Sequence, residues 1–248
     1  MNPDPRLAAF EAWQQEQRRL QDERRRKLAG LPCVIPPDLL DPEDRLPRFP
    51  WAWYLDQLVV LHPAGTASHP HQFGGSMSGD WAGLNPGCEP HLLLTLHPRF
   101  LPLGLPENSP VADGLRLFFP FRNSREPELV YRQEPSGSCV AVKSPKRHTE
   151  DRKWPYPKYP AQLPGQTLAV DGPYPMPFLA LGPGGDHGTL SVQDLPEDGA
   201  RFLIVVVTAR EATLGVSLLG PDAEDSAAQI VFIIDPAVGS VWTYSQCT

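Results

Sequence analysis

The chain of 248 residues is long enough to bury a substantial core in one large domain or two small ones. Its net charge of −7 argues against a general nucleic-acid binder, because affinity for phosphate backbones comes mainly from clustered Lys and Arg. Its four cysteines form no Cys-x-x-Cys pair, which argues against a zinc knuckle and against a disulfide-dense secreted scaffold.

Residues 1–31 are predicted to hold an N-terminal amphipathic helix. Residues 6–28 contain no Pro or Gly and are rich in Ala, Glu, Gln, Arg and Leu, which lose little conformational freedom in a helix. This stretch lacks the apolar core of a secretory signal, and no part of the chain approaches the roughly 18 consecutive apolar residues of a membrane span. We therefore expect a cytoplasmic protein with no membrane segment.

Residues 32–54 are predicted to form a proline-rich connector, because the prolines between Pro32 and Pro50 exclude a regular helix or a central strand. Residues 55–248 are then expected to form a single β-rich domain. Short runs of branched and aromatic residues bounded by Gly, Pro, Asn or Ser predict its strands. These runs are 55–62, 91–97, 114–121, 128–133, 138–143, 201–209, 212–220, 229–235 and 240–245.

Two connections in this domain carry their own signals. The segment Asp235–Gly239 predicts a tight hairpin turn, with Pro at a turn position and Gly at its close. The Pro-rich segment 144–177 is expected to be a loop, which leaves open a sub-boundary there. The fold class expected is α+β, with mainly antiparallel β-sheet, an N-terminal helix and long Pro-rich loops.

The stretch "ASHPHQFGGSMSGDWAGLNPG", residues 67–87, contains histidines that resemble a metal site. His62, His69 and His71, with Asp80, could serve a metal-dependent hydrolase, because zinc favours imidazole nitrogen. Pro70, however, interrupts any regular strand between His69 and His71, and no further ligand follows at a usual spacing. Loop histidines without a metal or cofactor are therefore the favoured interpretation, and the hydrolase is kept as the alternative.

Charge is unevenly distributed along the chain. Residues 143–160 hold six Lys and Arg against two acids, and residues 194–225 hold seven acids against two Arg. Such a division suits a charged protein partner. The aromatic residues of the basic segment fit three readings: a stacking platform for single-stranded nucleic acid, a polyproline II ligand, or a loop packed on its own domain. The predicted partner-binding residues are Asp194, Glu197, Asp198, Asp222, Glu224, Asp225, Trp154, Tyr156 and Tyr159.

Residues 71–132 carry a family resemblance. The segment "HQFGG" is followed by Trp81, by the strand "HLLLTL", by "GLRLFF" and by "ELVYR". This order of short motifs resembles the YwqG-like family of uncharacterised bacterial proteins. The resemblance implies that Gly74 and Gly75 turn the chain through positive φ and that Trp81 covers the core beside the Leu92–Leu96 strand.

The same resemblance implies a function, since such proteins are often encoded near secreted polymorphic toxins. It suggests an immunity or accessory protein that neutralises or assists a basic toxin or effector across a charged protein interface. A non-enzymatic protein-binding module is therefore the function that we expect from the sequence.

Overall fold

A computed structural model of the chain describes most of the predicted β-rich domain. The described residues are 19, 35–40, 47–55, 57–66, 69–76, 80–88, 90–121, 128–145, 162–175, 202–208 and 229–246. The predicted N-terminal helix, residues 1–31, lies outside this set apart from Arg19, and the predicted strand 212–220 lies outside it entirely.

The described part is mostly β-structure. The strands are β1 (Trp51–Tyr54), β2 (Gln57–Pro63), β3 (Gln72–Gly75), β4 (Trp81–Ala82), β5 (His91–Leu96), β6 (Leu115–Phe119), β7 (Leu129–Gln133), β8 (Cys139–Lys143), β9 (Leu163–Pro175), β10 (Leu203–Thr208), β11 (Gln229–Asp235) and β12 (Ser240–Gln246). Two short 3₁₀ turns, Pro37–Leu39 and Pro98–Phe100, accompany them. Within these ranges no helix is both long and apolar enough to cross a bilayer.

The strands form one continuous hydrogen-bonded order, β4-β8-β7-β12-β11-β10-β1-β2-β9-β3-β5-β6. Neighbours pair antiparallel except β4 and β8, which pair in parallel. The prediction of a mainly antiparallel fold is therefore confirmed. The predicted hairpin at Asp235–Gly239 is confirmed as well, because Asp235 pairs with Ser240 across it.

Four strands lie where the sequence predicted none, and two of them, β3 and β4, are short. Strand β1 lies inside the segment assigned to the connector, directly after Pro50, and pairs centrally with β2 and β10. Strand β9 occupies much of the segment 144–177, so the prediction of a loop is wrong over Leu163–Pro175.

The prolines inside β9 are accommodated by irregular pairing. Leu58 pairs with Tyr174 and Val60 with Asp171, so Gly172 and Pro173 together lie opposite Val59. The missing N–H of Pro173 therefore costs no regular ladder hydrogen bond. A second register shift, between Phe73 and Gly75, accommodates Pro164 in the same way.

Strand β9 joins the two halves of the sheet. Its first residues, Leu163–Thr167, pair with β3, and its later residues, from Leu168 onward, pair with β2. An inner apolar cluster fills the space between the halves, and it includes buried residues of β5, β6, β10 and β11. An outer apolar cluster covers the other face of the central strands with Trp51, Trp53 and residues of segment 35–40.

Strand β6 is the last in the strand order, and side chains of β7 hydrogen-bond the backbone groups on its outer edge. The Tyr131 hydroxyl donates to the Arg116 carbonyl oxygen at 2.6 Å and accepts from the Phe118 N–H at 3.2 Å. The Gln133 side chain accepts from the Arg116 N–H at 2.8 Å and donates to the Gly114 carbonyl oxygen. These side chains therefore hydrogen-bond backbone groups that have no partner on a neighbouring strand, as burial requires.

Candidate functional site

His71 lies immediately before β3 and is a buried residue with 1% exposure. Its position follows from strand pairing, because Gln72 pairs with Thr95 of β5 and with Thr167 of β9. The His71 carbonyl oxygen accepts the Leu168 N–H at 2.9 Å. Its ring nitrogen Nδ1 accepts the His97 backbone N–H at 3.2 Å. The imidazole therefore joins the start of β3 to the residue that follows β5.

Three aromatic rings surround this contact. The rings of His69 and His97 have centroids 6.3 Å and 6.1 Å from that of His71. His69 also stacks on Phe100, with centroids 4.2 Å apart and planes inclined by 10°. Phe100 belongs to the 3₁₀ turn Pro98–Phe100 and is 42% exposed. We call His69, His71, His97 and Phe100 the histidine cluster.

Burial controls the protonation of His71. Loss of solvation, with smaller contributions from the neighbouring His97 and His69, lowers the pKa of His71 from 6.5 to about 4. The ring is therefore neutral near pH 7, with its proton on Nε2, since Nδ1 accepts a hydrogen bond. Nε2 is buried without a hydrogen-bond partner among the described residues. This imidazole is inaccessible to a substrate and serves as a backbone acceptor.

The structure brings His69 and His71 together, but among the described residues it does not arrange them with His62 and Asp80 as a metal site. His62 lies on β2 and contacts the ring of Phe49 instead, at 6.2 Å between centroids. The Asp80 carbonyl oxygen accepts the Cys139 N–H, beside the pairing of β4 with β8. Across the described ranges, no three His, Cys, Asp or Glu side chains are arranged to hold a metal ion.

The glycines of the same stretch shape the backbone. Gly74 and Gly75 have φ values of 63° and 96°. A Cβ on Gly74 would overlap the Pro164 carbonyl oxygen of β9, so this position needs both a left-handed backbone and the absence of a side chain. Trp81 packs edge-on against Phe118 and Tyr131, with centroids 5.0 Å and 5.2 Å away.

One end of the sheet presents exposed apolar side chains. Leu55 lies in the two-residue connection between β1 and β2, has φ of 56° and is 47% exposed. Asn or Gly is favoured at a position with positive φ, because a larger side chain is strained there. Val238, in the connection between β11 and β12, is 52% exposed. Strand β10 alone separates β1 from β11, so the two connections lie about 10 Å apart at the same end. We call Leu55 and Val238 the apolar tips.

The predicted partner-binding residues lie outside the described residues. They are Asp194, Glu197, Asp198, Asp222, Glu224, Asp225, Trp154, Tyr156 and Tyr159. The strands nevertheless fix the points at which their segments join the sheet. Segment 176–201 leads into the Leu203 end of β10, beside the apolar tips, and segment 209–228 leaves the Thr208 end.

The basic segment also begins at a fixed point. The Asn85 side-chain amide donates to the Ser144 carbonyl oxygen at 2.9 Å, and the Asn85 N–H donates to the Ser144 hydroxyl at 3.0 Å. The chain is thus held at the end of β8, directly before residues 146–160.

Sequence reasoning missed His97 and Phe100. Their signal is the run His97-Pro98-Arg99-Phe100 directly after an apolar strand, but only the pairing of β3 with β5 places it beside His71. It also missed Leu55, because an apolar residue in a strand-like run gives no sign of positive φ.

Comparison with protein-family models, curated proteins and solved structures finds no significant match to this chain. The YwqG-like resemblance therefore stays a prediction.

Proposed function

We propose that this chain is a non-enzymatic protein-binding module, in which the end of the sheet that carries the apolar tips contacts a basic partner. The observation that supports it most directly is Leu55, an exposed apolar residue in a backbone conformation that disfavours it. Backbone strain of this kind clusters at functional positions, and here it coincides with an exposed apolar side chain.

The use of the histidines in the fold supports the same proposal. His71 holds a backbone N–H and His69 stacks on Phe100, so both side chains have a packing role. The histidines that most resemble catalytic residues therefore have packing roles in the fold.

The chemistry of the partner follows from charge. The chain is acidic overall, and segment 176–201, with Asp194, Glu197 and Asp198, joins the sheet beside the apolar tips. A basic protein with an apolar contact residue fits this arrangement, since opposite charge accelerates and orients association. A toxin or effector that this chain neutralises or assists is the partner that we propose.

The test uses Leu55→Asn with purified protein and the product of the adjacent reading frame, measured by calorimetry. Asn tolerates positive φ, so the variant is expected to be at least as stable as the parent chain while binding at least about tenfold more weakly. Val142→Asn is the matched control, because Val142 is exposed on β8, away from the apolar tips. Equal binding by Leu55→Asn and the parent chain would reject this surface.

The acidic residues are tested in two groups, because their two segments join β10 at its opposite ends. We expect reversal of Asp194, Glu197 and Asp198 to Lys to weaken binding more than reversal of Asp222, Glu224 and Asp225. Stoichiometric zinc or manganese retained through dialysis would instead support the metal-dependent hydrolase.

A further inference from the structure

The contact between His71 and His97 depends on a nitrogen that can be protonated. Nδ1 of His71 accepts the His97 N–H at 3.2 Å, and this is the hydrogen bond that ties the turn after β5 to the start of β3. An imidazolium ion has two N–H donors and no acceptor. Protonated His71 would therefore place one N–H against another.

Among the described residues, the surroundings of His71 offer no compensation for a positive charge. Nε2 is already buried without a partner among the described residues. The nearest paired positions on β9 and β5, Leu168 and Leu96, are apolar, and the next ones, Thr167 and Thr95, are uncharged. The titratable groups that act on His71 are His97, after β5, and His69, in its own segment, and both oppose its protonation.

Other charged groups near the cluster are paired or directed elsewhere. Arg99, in the turn after His97, forms an ion pair with Asp113 at 2.7 Å, and both side chains are largely exposed. His62, on the strand that pairs with β9, contacts Phe49. Among the described groups that act on His71, none is a carboxylate.

We propose that the histidine cluster is an acid-responsive joint, in which protonation of His71 breaks its hydrogen bond to His97 and releases the turn Pro98–Phe100 from the start of β3. The stack of His69 on Phe100 is part of the same contact, so its loss exposes the Phe100 ring further. The remainder of the sheet does not depend on this bond and keeps its pairing. The release of the turn is therefore local, and it reverses when the pH is raised again.

The test follows amide hydrogen exchange by NMR between pH 7 and about pH 4, expressed as protection factors. In the parent chain we expect the protection of the His97 amide to fall at least about tenfold, while the Val205 amide in the central strand keeps its protection. Phe100 side-chain resonances are expected to shift with the same midpoint.

His71→Asn is the decisive variant, because its Oδ1 can replace Nδ1 as acceptor and does not titrate in this range. We expect its His97 protection to be independent of pH. His62→Asn is the control and is expected to behave like the parent chain. The proposal is overturned if His71→Asn loses protection at the same pH as the parent, or if His97 and Val205 lose it together.

Discussion

Gly74 combines two constraints that can be separated experimentally. Its φ is 63°, and the Pro164 carbonyl oxygen occupies the space that a Cβ would need. Gly104 has almost the same φ, 61°, but open space around it. The two glycines thus form a natural pair for measuring what close packing adds to backbone strain.

We expect Gly104→Ala to cost about 1 kcal/mol of unfolding free energy, which reflects the positive φ alone. Gly74→Ala should cost roughly 2 kcal/mol more, because β3 and β9 must also move apart. Urea denaturation of both variants measures the difference. Equal losses of unfolding free energy would mean that β9 moves aside for the added methyl group without further destabilising the fold.

The residues of the candidate site show the limit of sequence reasoning. The histidines at 69 and 71 were visible in the sequence, and Pro70 correctly argued against a regular strand between them. Their role was not visible, because it depends on His97, which only the pairing of β3 with β5 brings near. Contacts between distant segments leave no local pattern.

At the scale of strands, alternating or continuous apolar runs predicted β2, β5, β6, β7, β8, β10, β11 and β12. Strands β3 and β4 are short and rich in small or aromatic residues, so they gave no such run. Strands β1 and β9 were missed because proline was taken to exclude pairing. In β9 the register shifts remove that objection, since Pro164 and Pro173 both lie at irregular positions.

The hydroxyl of Tyr131, at the edge of β6, leads to a prediction about stability. Tyr131→Phe removes a hydroxyl that bonds both the Arg116 carbonyl oxygen and the Phe118 N–H. Because both backbone groups then lack a partner in the interior, we expect a loss of about 2–4 kcal/mol in unfolding free energy. Burial raises the pKa of Tyr131 well above 10, so the hydroxyl is a donor throughout the measurable range.

Tyr174→Phe is the matched control for this variant. The Tyr174 hydroxyl donates to the Asp171 carboxylate on a half-buried part of β9, where water can replace it. Its loss should be below about 1 kcal/mol. A loss as small for Tyr131→Phe would show that water reaches the edge of β6.

For the whole molecule, the histidine cluster links stability to pH. The pKa of His71 is lowered in the folded chain to about 4, from 6.5, so the unfolded chain binds the proton more tightly. The contribution of neutral His71 to the free energy of unfolding is complete above pH 6.5, and it is lost progressively as the pH falls toward 4. Because one pKa unit corresponds to about 1.4 kcal/mol, the upper bound is ~3 kcal/mol.

Urea denaturation at several pH values checks this prediction. Between pH 7 and about pH 4 the parent chain should lose up to ~3 kcal/mol more than His71→Asn, since carboxylates contribute equally to both. Parallel curves for the two proteins would contradict the assignment to His71.

The pairing of β1 with β10 has a consequence for biosynthesis. Trp51 pairs with Val206, so the two strands at the centre of the sheet come from distant parts of the chain. Translation produces the N-terminal part first, and one backbone edge of β1 has no partner until residue 206 leaves the ribosome. The nascent chain therefore exposes an apolar strand edge until β10 is made, and such an edge favours aggregation.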